Sequence, residues 1–170
     1  PDQSSAASDV YKRQDYENIK FIQLVDQNPI GRSSRSNPVT YIKAYDDIRQ
    51  LFSTQKLSVS RNYQPKHFSF NVDGGRCLNC KGEGVETIEM QFMADVKIKC
   101  EDCNGKRFKN EILDIKFQNK NIDDVLNMTI DEAINFFDSH DCHKIKNKLL
   151  PLQDVGLSLI HISEPTRRTD

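Results

Sequence analysis

Four cysteines stand as two CxxC pairs: Cys77 and Cys80 in GGRCLNCKGEG, residues 74–84, and Cys100 and Cys103 in KCEDCNGKR, residues 99–107. A two-residue spacer lets both sulfurs of a pair converge on one ion. The glycines that follow, Gly82 and Gly105, let the backbone turn sharply enough for amide groups to face thiolates. Four thiolates about 2.3 Å from a common centre form the closed tetrahedral shell of structural Zn2+. Such a shell keeps no position for a substrate water, which argues against zinc-assisted hydrolysis. The competing reading, two independent redox pairs, needs a βαβ setting that neither pair has.

Other clusters point to less. His140, Cys142 and His143 in SHDCHK are too close in sequence to face one ion from a helix, and they read as a solvated helix end. Asp46/Asp47 and Asp123/Asp124 fall in the first turns of predicted helices, where carboxylates favour the helix dipole, so acid catalysis is not implied. No Ser/His/Asp arrangement and no GxxxxGK[ST] loop is present, hence no complete active site.

The cysteines need elements to position them. HFSFNV alternates Phe68, Phe70 and Val72 and predicts a half-buried strand entering the first pair. Between the pairs, Ile88, Met90 and Phe92 alternate, with Val85 out of step, and Val96 and Ile98 follow. This predicts a β-hairpin turning at Met93, Ala94 and Asp95, its base pinned by the cysteines. Beyond the second pair, Leu113, Ile115 and Phe117 suggest a strand that turns at 119–121. NIDDVLN and TIDEAINFF read as short helices, the latter with Thr129 and Glu132 at capping-box spacing. HKIKNKLLPLQDVGL is amphipathic and interrupted by Pro151. Upstream, IKFIQLV (19–25) suits a buried strand. Tyr41, Ile42, Tyr45, Ile48, Leu51 and Phe52 recur at helical spacing behind Asn37 and Pro38.

The chain has 170 residues, 36% of them apolar, which suits one domain or two small ones. A net charge of −1 excludes a uniformly basic nucleic-acid coat, so any phosphate contact must be local. No apolar run reaches membrane-spanning length, and the first residues lack the apolar stretch of a signal peptide. Paired CxxC cysteines favour a reduced compartment with a metal over a disulfide framework, so a cytoplasmic location is expected. Residues 61–109 hold nine Lys/Arg against seven Asp/Glu. Lys97 and Lys99 share the face opposite Val96 and Ile98, while Arg76, Lys81, Lys106 and Arg107 flank the cysteines. On charge alone, a phosphate-facing edge and a solvated face are equally good readings.

Several segments together, VDQNPIGRSSRSNPVTY, FSFNVDGGRCLNCKGEG, EMQFMADV, CEDCNGKRF and NIDDVLNMTIDEAINFF, resemble in that order the C-terminal half of the UvrA family, the damage-recognition ATPases of bacterial nucleotide excision repair. The resemblance runs from about Asp15 to Leu157. It implies an ABC-type ATPase, with ATP and Mg2+ in the full-length protein, whose second nucleotide-binding domain carries an insertion with a structural Zn2+ module. It further implies damaged double-stranded DNA, a UvrB-type repair partner, a homodimer and no membrane. Cys77, Cys80, Cys100 and Cys103 match the family's zinc ligands, and Gln27 matches its nucleotide-sensing Q-loop. Arg32, Arg35, Lys106 and Arg107 match basic positions. With Arg76, Lys81, Lys97 and Lys99 they form the set of DNA-contact candidates.

The fold class expected is α+β: a zinc-stapled hairpin module flanked by short strands and helices, inserted in an ABC-type ATPase domain. The expected organisation assigns 1–14 to a non-native tail, 15–36 to the strand and Q-loop-like segment, and 37–72 to a helical linking part. Residues 73–109 form the zinc hairpin, 110–157 a strand with helices, and 158–170 a second tail. Without Walker A, signature and Walker B motifs, the chain is expected to be inactive alone. Two rivals remain: a J-protein-like chaperone zinc domain, from CxxCxGxG at 77–84, and a purely structural zinc module.

Overall fold

The structure is a computed structural model, and it describes residues 35–92 and 94–165. The strand expected at 19–25, Gln27 and Arg32 lie outside the described residues. The architecture mixes helices and strands. A helical core is built from residues on both sides of a cysteine-rich hairpin, which projects from it.

The chain enters through α1 (Pro38–Tyr41), capped by Asn37, whose side chain accepts the Thr40 N–H at 3.0 Å. The single helix expected over 41–52 is broken. Lys43 adopts a left-handed conformation (φ 57°) before α2 (Ala44–Ser53) begins. The kink lets Val39 on α1 and Tyr45, Ile48 and Phe52 on α2 all reach the core, which one straight helix starting at Asn37 and Pro38 would not do, since at about 100° per residue Val39 would face away from the other three. α3 (Lys56–Ser60) and a 3-10 turn (Pro65–Phe68) follow.

HFSFNV is not a strand. Phe68 and Phe70 are fully buried, but they sit in the 3-10 turn and the bend behind it, and Val72 is exposed. Packing replaces the ladder here: Phe68 lies against Phe52 (5.7 Å between centroids), Phe70 stacks on Tyr45 (5.2 Å), and the Tyr45 hydroxyl donates to the Phe68 carbonyl. The expected hairpin forms from β1 (Val85–Ile88) and β2 (Val96–Lys99), antiparallel with Val85 opposite Lys99 and Ile88 opposite Val96. Its ladder is shorter than the alternation suggested, leaving Met90 and Phe92 in the connecting loop.

After the second cysteine pair, residues 110–113 form α4 (Asn110–Leu113) rather than strand. Only β3 (Lys116–Phe117) and β4 (Lys120–Asn121) pair, around Gln118 and Asn119, both left-handed. α5 (Ile122–Leu126) and α6 (Ile130–Asp138) start at capping boxes formed by Asn121/Asp124 and Thr129/Glu132, the second as expected. α7 (His143–Asp154) continues through Pro151 instead of stopping there. It packs on α6 and α2, and Ile145, Leu149 and Leu152 face the core. Ile162 is buried as well: its N–H donates to the Met128 carbonyl and its own carbonyl accepts from Val39, both at 3.0 Å. Ile160 and Ile162, within the stretch set apart above as a tail, thus pack in this core. No described helix is long and apolar enough to cross a membrane.

Candidate metal centre and its basic flank

The two CxxC pairs meet at the base of the hairpin. Cys77 Sγ lies 4.0 Å from Cys100 Sγ and Cys80 Sγ 3.6 Å from Cys103 Sγ, and all four sulfurs fall within 4.8 Å of one another. A tetrahedron with arms of about 2.3 Å has edges of about 3.8 Å, between those two separations. All four side chains are buried, and the Gly84 N–H points at Cys80 Sγ at 3.2 Å. Burial, reinforced by Cys80 and Cys100, pushes the Cys103 thiol up to about 12. Thiolates in such a place need a cation among them. The donor set therefore fits Zn2+, held by Cys77, Cys80, Cys100 and Cys103. Among the described residues it is the one cluster with metal-holding geometry. His140 instead hydrogen-bonds the Phe136 carbonyl, and His143 faces Asp138 and Asp141, as a helix-end reading requires.

Each pair is followed by the same left-handed run. Lys81 and Asn104 (both φ 50°), Gly82 and Gly105 (φ 89° and 77°), and Gly84 and Arg107 (φ 79° and 69°) correspond. In residue types the repeat is visible only as CxxCxG. The repeat extends further because φ, not residue type, is what recurs, and a non-glycine at its last position hides it.

The module is clamped to the core through close backbone approaches. A Cβ on Gly75 would lie 1.7 Å from the His67 carbonyl oxygen, and one on Gly82 2.0 Å from that of Phe70. Gly75 O accepts from Lys109 at 2.9 Å, Arg76 bridges to Phe108, and Phe108 meets the Phe70 ring edge-on at 6.3 Å. The Arg107 guanidinium sits 5.6 Å from the Phe70 centroid.

The basic candidates separate into different environments. Arg76 is held by Asp73 and by the Lys81 carbonyl. Arg35 pairs with Glu83 at 3.4 Å and also donates to the Lys81 carbonyl. Strand register puts Lys97 and Lys99 on the Val85 face, as expected from alternation. A cavity of about 220 Å³ brings Arg35, Lys97 and Arg107 together with Glu83 and Val85. Lys81 and Lys106 do not line it.

Fold and site define a class: a small mixed α+β domain carrying a four-cysteine hairpin of zinc-knuckle type. The comparisons narrow it. UvrABC system protein A of Clostridium perfringens is 52% identical over 151 residues, which cover 89% of this chain and 16% of that protein. The Aquifex aeolicus protein of the same name is 49% identical over 157 residues, covering 92% and 17%. Among solved structures, UvrA2 from Deinococcus radiodurans matches with a TM-score of 0.77 and 43% identity, over 84% of this chain and 17% of that one. No family model matches. The chain thus spans about a sixth of the length of these relatives. The UvrA resemblance expected from the sequence holds in sequence and in fold alike.

Proposed function

We propose that this chain is a segment of a UvrA-type nucleotide excision repair ATPase, and that its hairpin module helps engage duplex DNA. The observation that carries the reading is the cysteine cluster, four buried sulfurs within 4.8 Å, set beside a cleft lined by cations in a chain about half identical to UvrA proteins. In this reading Zn2+ fixes the hairpin base, so that the basic residues on its flank hold a constant geometry toward DNA phosphates. The module would be an insertion in the second ABC-type nucleotide-binding domain of a longer cytoplasmic protein. Gln27, at the Q-loop-like position, would link it to an ATP and Mg2+ site elsewhere in that protein. A homodimer and a UvrB-type partner belong to the same proposal.

A purely structural zinc role is the second reading, favoured by the clamp of Gly75 and Gly82 on the core. No observation favours the chaperone alternative. The deciding experiment is metal analysis of the purified chain, with duplex DNA binding followed by fluorescence anisotropy before and after chelation. One zinc per chain and duplex affinity lost on chelation support the proposal. Zinc present with no duplex affinity supports the structural role, and a folded, reduced, zinc-free chain overturns both.

A further inference from the structure

We propose that the cleft between the first cysteine knuckle and the hairpin base, lined by Arg35, Lys97 and Arg107, is a phosphate-binding site. The inference rests on the duplex-facing reading above and says where a phosphate sits. Among the described residues, three cations line the cleft against one carboxylate, Glu83, which Arg35 already engages. Lys99 adds a fourth positive charge on the same hairpin face as Lys97. The two arginines are held in place, Arg107 over the Phe70 ring and Arg35 by the Lys81 carbonyl, so binding orders few side chains anew.

The rest of the module is poorly suited to phosphate. Arg76 does not line the cleft; its guanidinium is turned to Asp73 and to the Lys81 and Asn71 carbonyls. Farther out, residues 86–95 carry Glu86, Glu89 and Asp95 and no Lys or Arg, while Ile88 and Phe92 are exposed. That tip repels a polyanion, whereas the hairpin base attracts one. The ligand chemistry is a phosphate group, supplied either by the backbone of a duplex or by a free phosphate.

The test uses the zinc-loaded chain, with inorganic phosphate followed by NMR and a labelled duplex followed by anisotropy across a salt series. Lys97→Glu is the probe variant, because Lys97 is exposed on a strand and its exchange leaves the core intact. Lys120→Glu, on the small second hairpin, is the control. The expected result is phosphate-induced shifts at Lys97 and Arg107, lost in Lys97→Glu. Duplex affinity should fall about tenfold in the same variant, with a salt slope shallower by about one, while the control stays unchanged. Duplex binding without phosphate shifts, but with the same loss in Lys97→Glu, assigns the site to the nucleic-acid backbone and still supports it. Duplex affinity and salt slope untouched by Lys97→Glu, with no phosphate shifts, overturn the cleft and leave the duplex reading standing. Binding of neither ligand by the wild-type chain overturns both.

Discussion

The Cys77 amide donates to the Arg107 carbonyl at 2.8 Å, and the Cys100 amide donates to the Gly84 carbonyl at 3.0 Å. In each case the first cysteine of one pair is tied to the residue four places beyond the second cysteine of the other. The knuckles therefore interlock by a near-twofold exchange of backbone hydrogen bonds around the sulfurs. A metal at the centre closes a loop whose two ends already hold each other.

Chelation is expected to act locally. The helical core contains none of the four ligand cysteines, whereas the β1–β2 hairpin is exposed along nearly its whole length and has little burial of its own. Structural zinc contributes about 10–16 kcal/mol in zinc-finger peptides, so its loss should release residues 76–107. Hydrogen exchange should rise across that stretch while α2, α6 and α7 stay protected. Equal deprotection of the helices would show that the module and core unfold as one unit.

Gly82→Ala should be far more damaging than Gly156→Ala, although both glycines have φ above 80°. Left-handed strain costs an alanine about 1–2 kcal/mol at either site. At Gly82 the new Cβ also meets the Phe70 carbonyl oxygen at 2.0 Å, whereas at Gly156 nothing lies within 4 Å. Urea unfolding should place Gly82→Ala lower by at least a further ~1 kcal/mol, because rigid backbone must move. Equal losses would mean that the knuckle does not press on the Phe70 backbone.

Arg107 stands in a left-handed conformation where the first knuckle has Gly84. Arg107→Gly removes the strain, worth about 1–2 kcal/mol, and loses the contact with Phe70, worth about 0.5–1 kcal/mol. Arg107→Ala loses the contact and keeps the strain. Thermal unfolding should therefore rank the glycine variant above the alanine variant by about 1 kcal/mol. The reverse order would indicate that the glycine's extra freedom in the unfolded chain outweighs the strain it relieves.

Asp47 on α2 pairs with Lys144, at 2.7 Å, and with Lys148, both on α7. Burial raises its pKa, but the two lysines outweigh burial and hold the carboxyl below its usual range. A depressed folded-state pKa means that the ion pairs stabilise the fold above the unfolded value of about 3.9, and that this is lost as pH falls through the folded value. Asp47→Asn should lower the urea midpoint at pH 7 and converge with the parent near pH 2. A gap of equal size at both pH values would assign the effect to packing.

The cysteine spacing by itself singled out the four residues whose sulfurs the fold brings together in a cluster that could hold a metal, because a two-residue spacer constrains sulfur geometry locally. The Thr129/Glu132 capping box and the hairpin were legible for the same reason: each depends on neighbours within a few residues or on strict alternation. HFSFNV defeated that reading, since period-two burial of Phe68 and Phe70 arises equally in a 3-10 turn followed by a bend. Only tertiary contact with Tyr45, Phe52 and Phe108 separates the two. Likewise, charge counting could not rank the eight basic candidates. Folding sets Arg76 against Asp73 and gathers Arg35, Lys97 and Arg107, residues far apart in the chain, around one cleft. The glycines show the division most clearly: their turn-forming role is intrinsic, but that Gly75 and Gly82 must stay glycine follows from carbonyls at His67 and Phe70 that only the folded chain brings within reach.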